Sequence, residues 1–144
     1  KKKLNNIIHI DGDEFRNLFK NDLGFSIKDR NINAERLISF ADYINKQKIN
    51  VIVSANLTSP KYLKIAKKKF KKFFHIHLES PITILKKRDP KKIYKKNKDV
   101  VGLQLKFNQY KKSDFYFYND KFKKNLLKQS KIIFKILKKK LNDI

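Results

Sequence analysis

The chain alternates short apolar runs with longer stretches in which apolar residues recur every three or four positions. Ile7-Ile8-His9-Ile10-Asp11 is dominated by β-formers and predicts a strand over 7–11. Phe15, Leu18 and Phe19 then share one face of a short helix expected over 13–20. Leu37, Ile38, Ala41 and Ile44 recur at helical spacing and predict a longer helix over 32–47. Val51-Ile52-Val53-Ser54-Ala55 predicts a second strand, ending in the polar stretch Asn56 to Pro60. A helix over 60–71 would turn Leu63, Ala66 and Phe70 inward and its lysines outward. The run Phe73 to Leu78 alternates as a third strand should, and Pro81 opens a helix to about Lys87. Residues 88–113 lack apolar periodicity and predict a long loop. Phe115 to Tyr118 predicts a fourth strand, and 120–141 a basic amphipathic helix packing through Phe122, Leu126, Ile133, Ile136 and Leu137.

Strand and helix taking turns predicts an α/β fold, a parallel sheet with helices on both faces. Ligands of such sheets gather at the carboxyl ends of the strands. Asp11 and Asp13, the stretch 56–59 and the loop after Leu78 all fall there. The segment 88–113 is long enough to act as a lid. At 144 residues, with no internal repeat and no Gly/Ser linker, residues 1–144 are expected to form a single domain.

Composition narrows the chemistry. There is no cysteine, which excludes disulfides, a thiolate nucleophile and Cys-based zinc sites. No apolar run reaches the ~20 residues of a membrane span, and no signal-peptide pattern opens the chain. A cytoplasmic protein is expected. Its 37 basic and 13 acidic residues give a net charge of +24. Only residues 16, 30, 36 and 88 are arginine; the other basic residues are lysine, beside abundant Asn, Ile and Phe. Those residues have A/T-rich codons, so the charge reads as compositional. A reader of nucleic acid should use arginine and aromatic platforms more deliberately. No specific nucleic acid and no membrane is expected as partner, although any anionic nucleotide would be attracted.

Asp11-Gly12-Asp13 stands where a strand yields to a helix, and Arg16, Phe25, Arg30 and Asn33 follow within one helix and one loop. Carboxylates for a metal or a proton, arginines for phosphate and an aromatic for a base suit a nucleotide-directed phosphotransferase. Asp11 and Asp13 are the candidates for activating an attacking hydroxyl and organising Mg²⁺; one of them equally fits a helix N-cap. Arg16 and Arg30 would grip a phosphate-containing group through paired N–H donors. His9, His75 and His77 read as structural residues. His75 and His77 share a strand face, but no third metal ligand is suggested.

The segments DGDxxR (11–16), LGFSxxDRxxN (23–33) and Arg88-Asp89-Pro90-Lys91-Lys92-Ile93-Tyr94 together resemble adenylylsulfate (APS) kinase, from about Ile7 to Asp120. The resemblance implies a P-loop kinase-like fold and transfer of the ATP γ-phosphate to the 3′-hydroxyl of adenylylsulfate, giving PAPS. It implies ATP and Mg²⁺ as cofactors and a small-molecule nucleotide as partner; a homodimer is left open. It places Asp13 through Arg16, Arg30 and Asn33 against the acceptor, with Phe25 stacked on its base. Leu57-Thr58 stands where the family has Ile-Ser, so Thr58 would offer a hydrogen bond. Arg88 would be the nucleotide-facing lid cation and Lys91 an acceptor contact, with Lys92 replacing a family glycine.

The chain departs from its relatives at two places. The phosphate loop G-x-x-x-x-G-K-[ST] should precede the DGD strand, but the three glycines, at 12, 24 and 102, belong to no such motif. The expectation is therefore a fold whose first strand and Walker A loop are absent, and a chain without kinase activity by itself. In the lid, Val100 stands where the family carries the second aromatic of its base clamp, and Gln104 where it carries aspartate. Loss of that aromatic weakens the case for a purine. Two alternatives follow: a related small-nucleotide kinase, such as a capsule-pathway cytidine diphosphoramidate kinase, and a non-catalytic remnant or polyanion-binding protein.

Overall fold

A computed structural model describes residues 6–57, 59–89, 92, 94, 100, 101, 113–119 and 123–142, with side chains of the last helix described over 126–139. In order these form β1 (Ile7–Asp11), α1 (Gly12–Asn17), α2 (Ile27–Lys46), β2 (Asn50–Ser54), α3 (Pro60–Lys69), β3 (Ile76–Glu79), α4 (Ile82–Arg88), β4 (Phe115–Tyr118) and α5 (Lys123–Asn142). The expected alternation of parallel strands and helices is present. Packing divides the chain into two compact units. The first runs up to Phe73 and takes in Val100 and Val101; the second holds Phe74 to Asp89 and the residues from Ser113 onward.

In the first unit β1 and β2 pair in parallel, with Ile7 opposite Asn50 and Asp11 opposite Ser54. The β1 face carrying Ile10 meets α2, whose buried residues Asn33, Ala34, Leu37, Ala41 and Ile44 form one stripe. Ile10, Phe15, Leu37, Ala41 and Ile44 make the core, with Ile49, Val51 and Phe70 packed at its margin. Two polar ties fix the helices around it. Arg36 grips Asp22 through both terminal nitrogens at 2.8 Å and lies over the Phe19 ring at 4.5 Å. The buried Tyr62 donates its hydroxyl to Glu35 at 2.9 Å, joining α3 to α2.

The second unit pairs β3 and β4 in parallel, Ile76 opposite Phe115 and Glu79 opposite Tyr118. In α5, Leu126, Ile133, Ile136 and Leu137 are half-buried while Leu127, Ile132 and Phe134 are exposed, so the expected stripe faces inward. Phe122 lies outside the described residues.

Among the described residues the strands form two parallel pairs, β1 with β2 and β3 with β4. One boundary is corrected. Helix α2 starts at Ile27, five residues before the expected 32. The reason is local: Ser26 caps it, accepting from the Asp29 N–H at 3.2 Å and donating to the Asp29 carboxylate at 2.7 Å. The pair is a serine N-cap whose hydroxyl is in turn held by the Asp29 carboxylate. Part of the LGFSxxD segment is therefore a helix start signal.

Candidate acceptor site

Asp11 ends β1 and is the N-cap of α1. Its Oδ1 accepts the backbone N–H of Asp13 at 2.9 Å and of Glu14 at 3.2 Å. Its Oδ2 accepts from the Ser54 hydroxyl at 3.3 Å, at the end of the neighbouring strand. The Glu14 amide, then the Asp13 amide, hold the Asp11 carboxyl below the ordinary carboxylate range, with Ser54 adding to the effect. A carboxylate whose folded pKa is depressed stabilises the fold fully above its unfolded pKa of ~3.9, and loses that contribution as pH falls through the folded value. Asp11→Ala should accordingly cost ~0.5–2 kcal/mol at neutral pH, the usual range for a cap. The gap to wild type should narrow in urea melts as pH is taken progressively below the ordinary carboxylate value of ~3.9. A gap of constant size would mean that charge on Asp11 plays no part in the cap.

Gly12 is required by proximity. A Cβ there would meet the Ala55 Cβ at 3.0 Å and the Ser54 carbonyl oxygen at 3.3 Å, tighter than ordinary contact, so a side chain would force α1 and the end of β2 apart by a few tenths of an ångström. The close approach brings two chain crossings together at the carboxyl ends of the strands. One turn further on, Arg16 is 8% exposed and directs Nη1 to the carbonyl of Gly24 at 2.9 Å and of Leu23 at 3.4 Å. Arg30, in the first turn of α2, donates Nε–H to the Phe25 carbonyl at 2.8 Å. Both guanidinium groups lie over the Phe25 ring, at 5.1 and 5.5 Å. The two arginines thus hold the loop 23–25 by its carbonyls and present Phe25, 53% exposed, as an aromatic face.

These residues line one cavity of about 290 Å³. Asp11, Asp13, Arg16, Phe25, Arg30, Asn33 and Leu57, all expected from the sequence, are in its wall. Asn33 is buried to 6% exposure, and its Oδ1 finds no partner among the described residues. A buried acceptor left unsatisfied in a cavity wall is a position for a donor group on a ligand. Val100 is 5% exposed and is not part of the wall. Thr58 and Lys91 lie outside the described residues, as does Gln104.

Arg88 is the last residue of α4 rather than the first of a loop. Beyond it, Asp89 accepts from the Tyr94 N–H at 2.9 Å through its carboxylate and from the Lys92 N–H at 3.2 Å through its carbonyl. Lys92 has φ of 52°, the left-handed conformation that suits glycine, at the position where it stands in for one. Restoring it, Lys92→Gly, should leave stability unchanged or raise it by up to ~1 kcal/mol in a thermal melt, because the side chain strains this backbone. A loss of that size would show that the lysine side chain makes a compensating contact.

Sequence reasoning missed Ser54, which lines the cavity and bonds to Asp11, and read His9 as structural. The signal for Ser54 was its place at the end of the second strand, opposite the aspartate that ends the first. His9 Nε2 lies 2.7 Å from Ser54 Oγ. His75 immediately precedes β3 and His77 lies on it, where His77 stacks on Tyr116 at 5.3 Å and Tyr116 donates to Glu79.

The family model for adenylylsulphate kinase matches residues 1–115. The chain belongs to that family. An adenylyl-sulfate kinase of Buchnera aphidicola subsp. Schizaphis graminum is 32% identical over 117 residues, covering 74% of this chain and 54% of the relative. The cytidine diphosphoramidate kinase of Campylobacter jejuni is 31% identical, covering 76% of this chain and 66% of the relative. Among solved structures, the Mycobacterium tuberculosis APS kinase CysC in complex with AMPPNP and APS superposes with a TM-score of 0.79 at 25% identity. The match covers 90% of this chain and 79% of that one. The chain spans about half to two thirds of the length of such relatives (54% and 65% for the two Buchnera kinases). Among the described residues, no helix of this adenylylsulphate kinase relative is long and apolar enough to cross a membrane.

Proposed function

We propose that this chain forms the acceptor side of an ATP-dependent kinase that phosphorylates the 3′-hydroxyl of adenylylsulfate to give PAPS. The observation that carries the reading is the single cavity. It gathers two carboxylates, two arginines, an exposed aromatic ring and the unsatisfied Asn33 carbonyl around a space of nucleotide dimensions. In this reading Phe25 stacks on the base. Arg16 and Arg30 neutralise the phosphosulfate, Asn33 accepts from a donor on the nucleotide, and the Asp11–Asp13 pair faces the hydroxyl to be phosphorylated. Leu57 closes the apolar side, and Thr58 and Lys91 are further acceptor contacts. A small acidic nucleotide, rather than nucleic acid or membrane, is the partner.

The carboxylate pair suits Mg²⁺, which binds one or two carboxylates and otherwise waters and substrate phosphates. Bound there, the ion would neutralise charge on the transferred phosphoryl group. The triphosphate of ATP is a different case. With glycines only at 12, 24 and 102 the chain holds no phosphate cradle, although Arg88 is a cation suited to the donor nucleotide. What its residues do is bind the acceptor, orient its hydroxyl and take up the proton. Such a chain should bind acceptor yet transfer no phosphate unless a phosphate loop is supplied.

Calorimetric titration of the chain with adenylylsulfate and with cytidine diphosphoramidate, side by side, tests the reading. Tighter binding of adenylylsulfate is expected. Preference for the cytidine compound would transfer the assignment to the capsule-pathway class, and binding of neither would end it. Arg30→Ala should weaken either nucleotide at least ~10-fold, the loss of one charge-assisted hydrogen bond. Unchanged affinity would place the phosphate group elsewhere.

A further inference from the structure

Outside the residues so far given a role, His9 and Ser54 form a built chain of hydrogen bonds ending on Asp11. The parallel register sets Ser54 opposite Asp11 and puts His9 two residues back on the same face of β1. His9 Nε2 is 2.7 Å from Ser54 Oγ, and Ser54 Oγ is 3.3 Å from Asp11 Oδ2. The direction of each bond follows from what each group can offer. An aspartate with an ordinary pKa of ~3.9 is ionised at neutral pH and only accepts. The single Ser54 hydrogen therefore goes to Asp11, and Ser54 Oγ must accept from His9. That fixes the neutral imidazole as its Nε2–H tautomer.

The effect is on orientation. Asp11 Oδ1 is already held by the amides of Asp13 and Glu14, which belong to the first turn of α1. With Ser54 on Oδ2, the carboxylate is tied at both oxygens, on one side to α1 and on the other to β2. It cannot rotate without breaking a bond, and the turn that carries Asp13 is fixed with it. Preorganised carboxylates are the part of a phosphoryl-transfer site that the protein itself supplies.

We propose that His9 and Ser54 are positioning residues which hold the Asp11–Asp13 pair against the acceptor hydroxyl that is phosphorylated. The proposal rests on the acceptor-site reading above and adds two residues that act through Asp11, Ser54 from within the cavity wall and His9 from behind it. It commits to a measurable consequence: the relay should matter for one hydroxyl of the ligand and for nothing else in it.

The test compares binding of adenylylsulfate with binding of its 3′-deoxy analogue by the chain itself. Wild type should prefer the hydroxyl-bearing nucleotide at least ~10-fold, the value of a hydrogen bond to a charged group. His9→Ala should bring that ratio to within about twofold of unity, with affinity for the deoxy analogue unchanged, and Ser54→Ala, which also alters the cavity wall, should collapse the ratio in the same way. His9→Gln keeps an N–H donor at nearly the same reach and should restore most of the preference. A merely structural role would lower both affinities together. A ratio unmoved by His9→Ala and Ser54→Ala overturns the inference while leaving the acceptor site intact. A wild type without preference overturns both the inference and the placement of the hydroxyl. A second readout needs no nucleotide. Nitrogen-15 NMR at a pH well above the ordinary histidine value of ~6.5 should find His9 as the Nε2–H tautomer, lost in Ser54→Ala. An Nδ1–H tautomer in wild type would overturn the relay outright.

Discussion

Asp13→Asn is expected to lower phosphoryl transfer to adenylylsulfate at least ~100-fold in a protein that couples this chain to a phosphate loop. The two carboxylates are alike in sequence but unlike in their surroundings. Asp11 accepts two backbone amides and a serine hydroxyl, and its pKa is depressed by them. A carboxylate so placed is a poor proton acceptor, since each bond that stabilises its charge lowers its basicity. Asp13 contributes its backbone N–H to that cap and sits in the cavity wall beside it. In the proposed reading Asp13 is the base and Asp11 caps the turn that carries it. Asparagine keeps the volume and removes the charge, so adenylylsulfate affinity measured by calorimetry should change far less than turnover. A variant that turns over at the wild-type rate would take Asp13 out of the mechanism and return the role to Asp11.

The sequence was most legible where a residue type has one common use. β1 and β4 have the expected bounds because runs such as Ile7-Ile8-His9-Ile10 suit little else, and strand-to-helix alternation led directly to parallel pairing. That Asp11, Asp13, Arg16, Phe25, Arg30 and Asn33 would gather in one place was readable because their chemistry is rare in a lysine-dominated chain. Legibility failed where one residue serves two purposes. Ser26 and Asp29 were read only as part of a motif, so the start of α2 was put five residues late, although the pair is itself the cap. Arg16 was read as a phosphate ligand, yet it also holds the carbonyls of Leu23 and Gly24, a backbone service that no residue pattern announces. The burial of Val100 depends on tertiary placement that periodicity does not encode.

Leu37→Ala should cost ~2–5 kcal/mol in urea or thermal unfolding, the range for truncating a fully buried leucine. Leu37 is 2% exposed and meets Ile10, Phe15, Ala41 and Ile44 in the core. Against a typical domain stability of ~5–15 kcal/mol, that loss is a large share of the total. The same side chain reaches the floor of the cavity, where Asn33 and Ala34 lie one turn before it on α2. Core and site thus share one helical stripe: Asn33, Ala34, Leu37, Ala41 and Ile44 are buried in sequence, with Arg30 at the end nearest the capped first turn. Removing the leucine side chain should therefore weaken adenylylsulfate binding as well, through the placement of Asn33 and Arg30. Leu37→Met, which keeps the volume, should cost less than ~1.5 kcal/mol and leave binding near wild type. If Leu37→Ala lost less than ~1 kcal/mol, the stripe would not be packed against β1 as described, and the acceptor residues at its head would have to be held by the loop 23–25 alone.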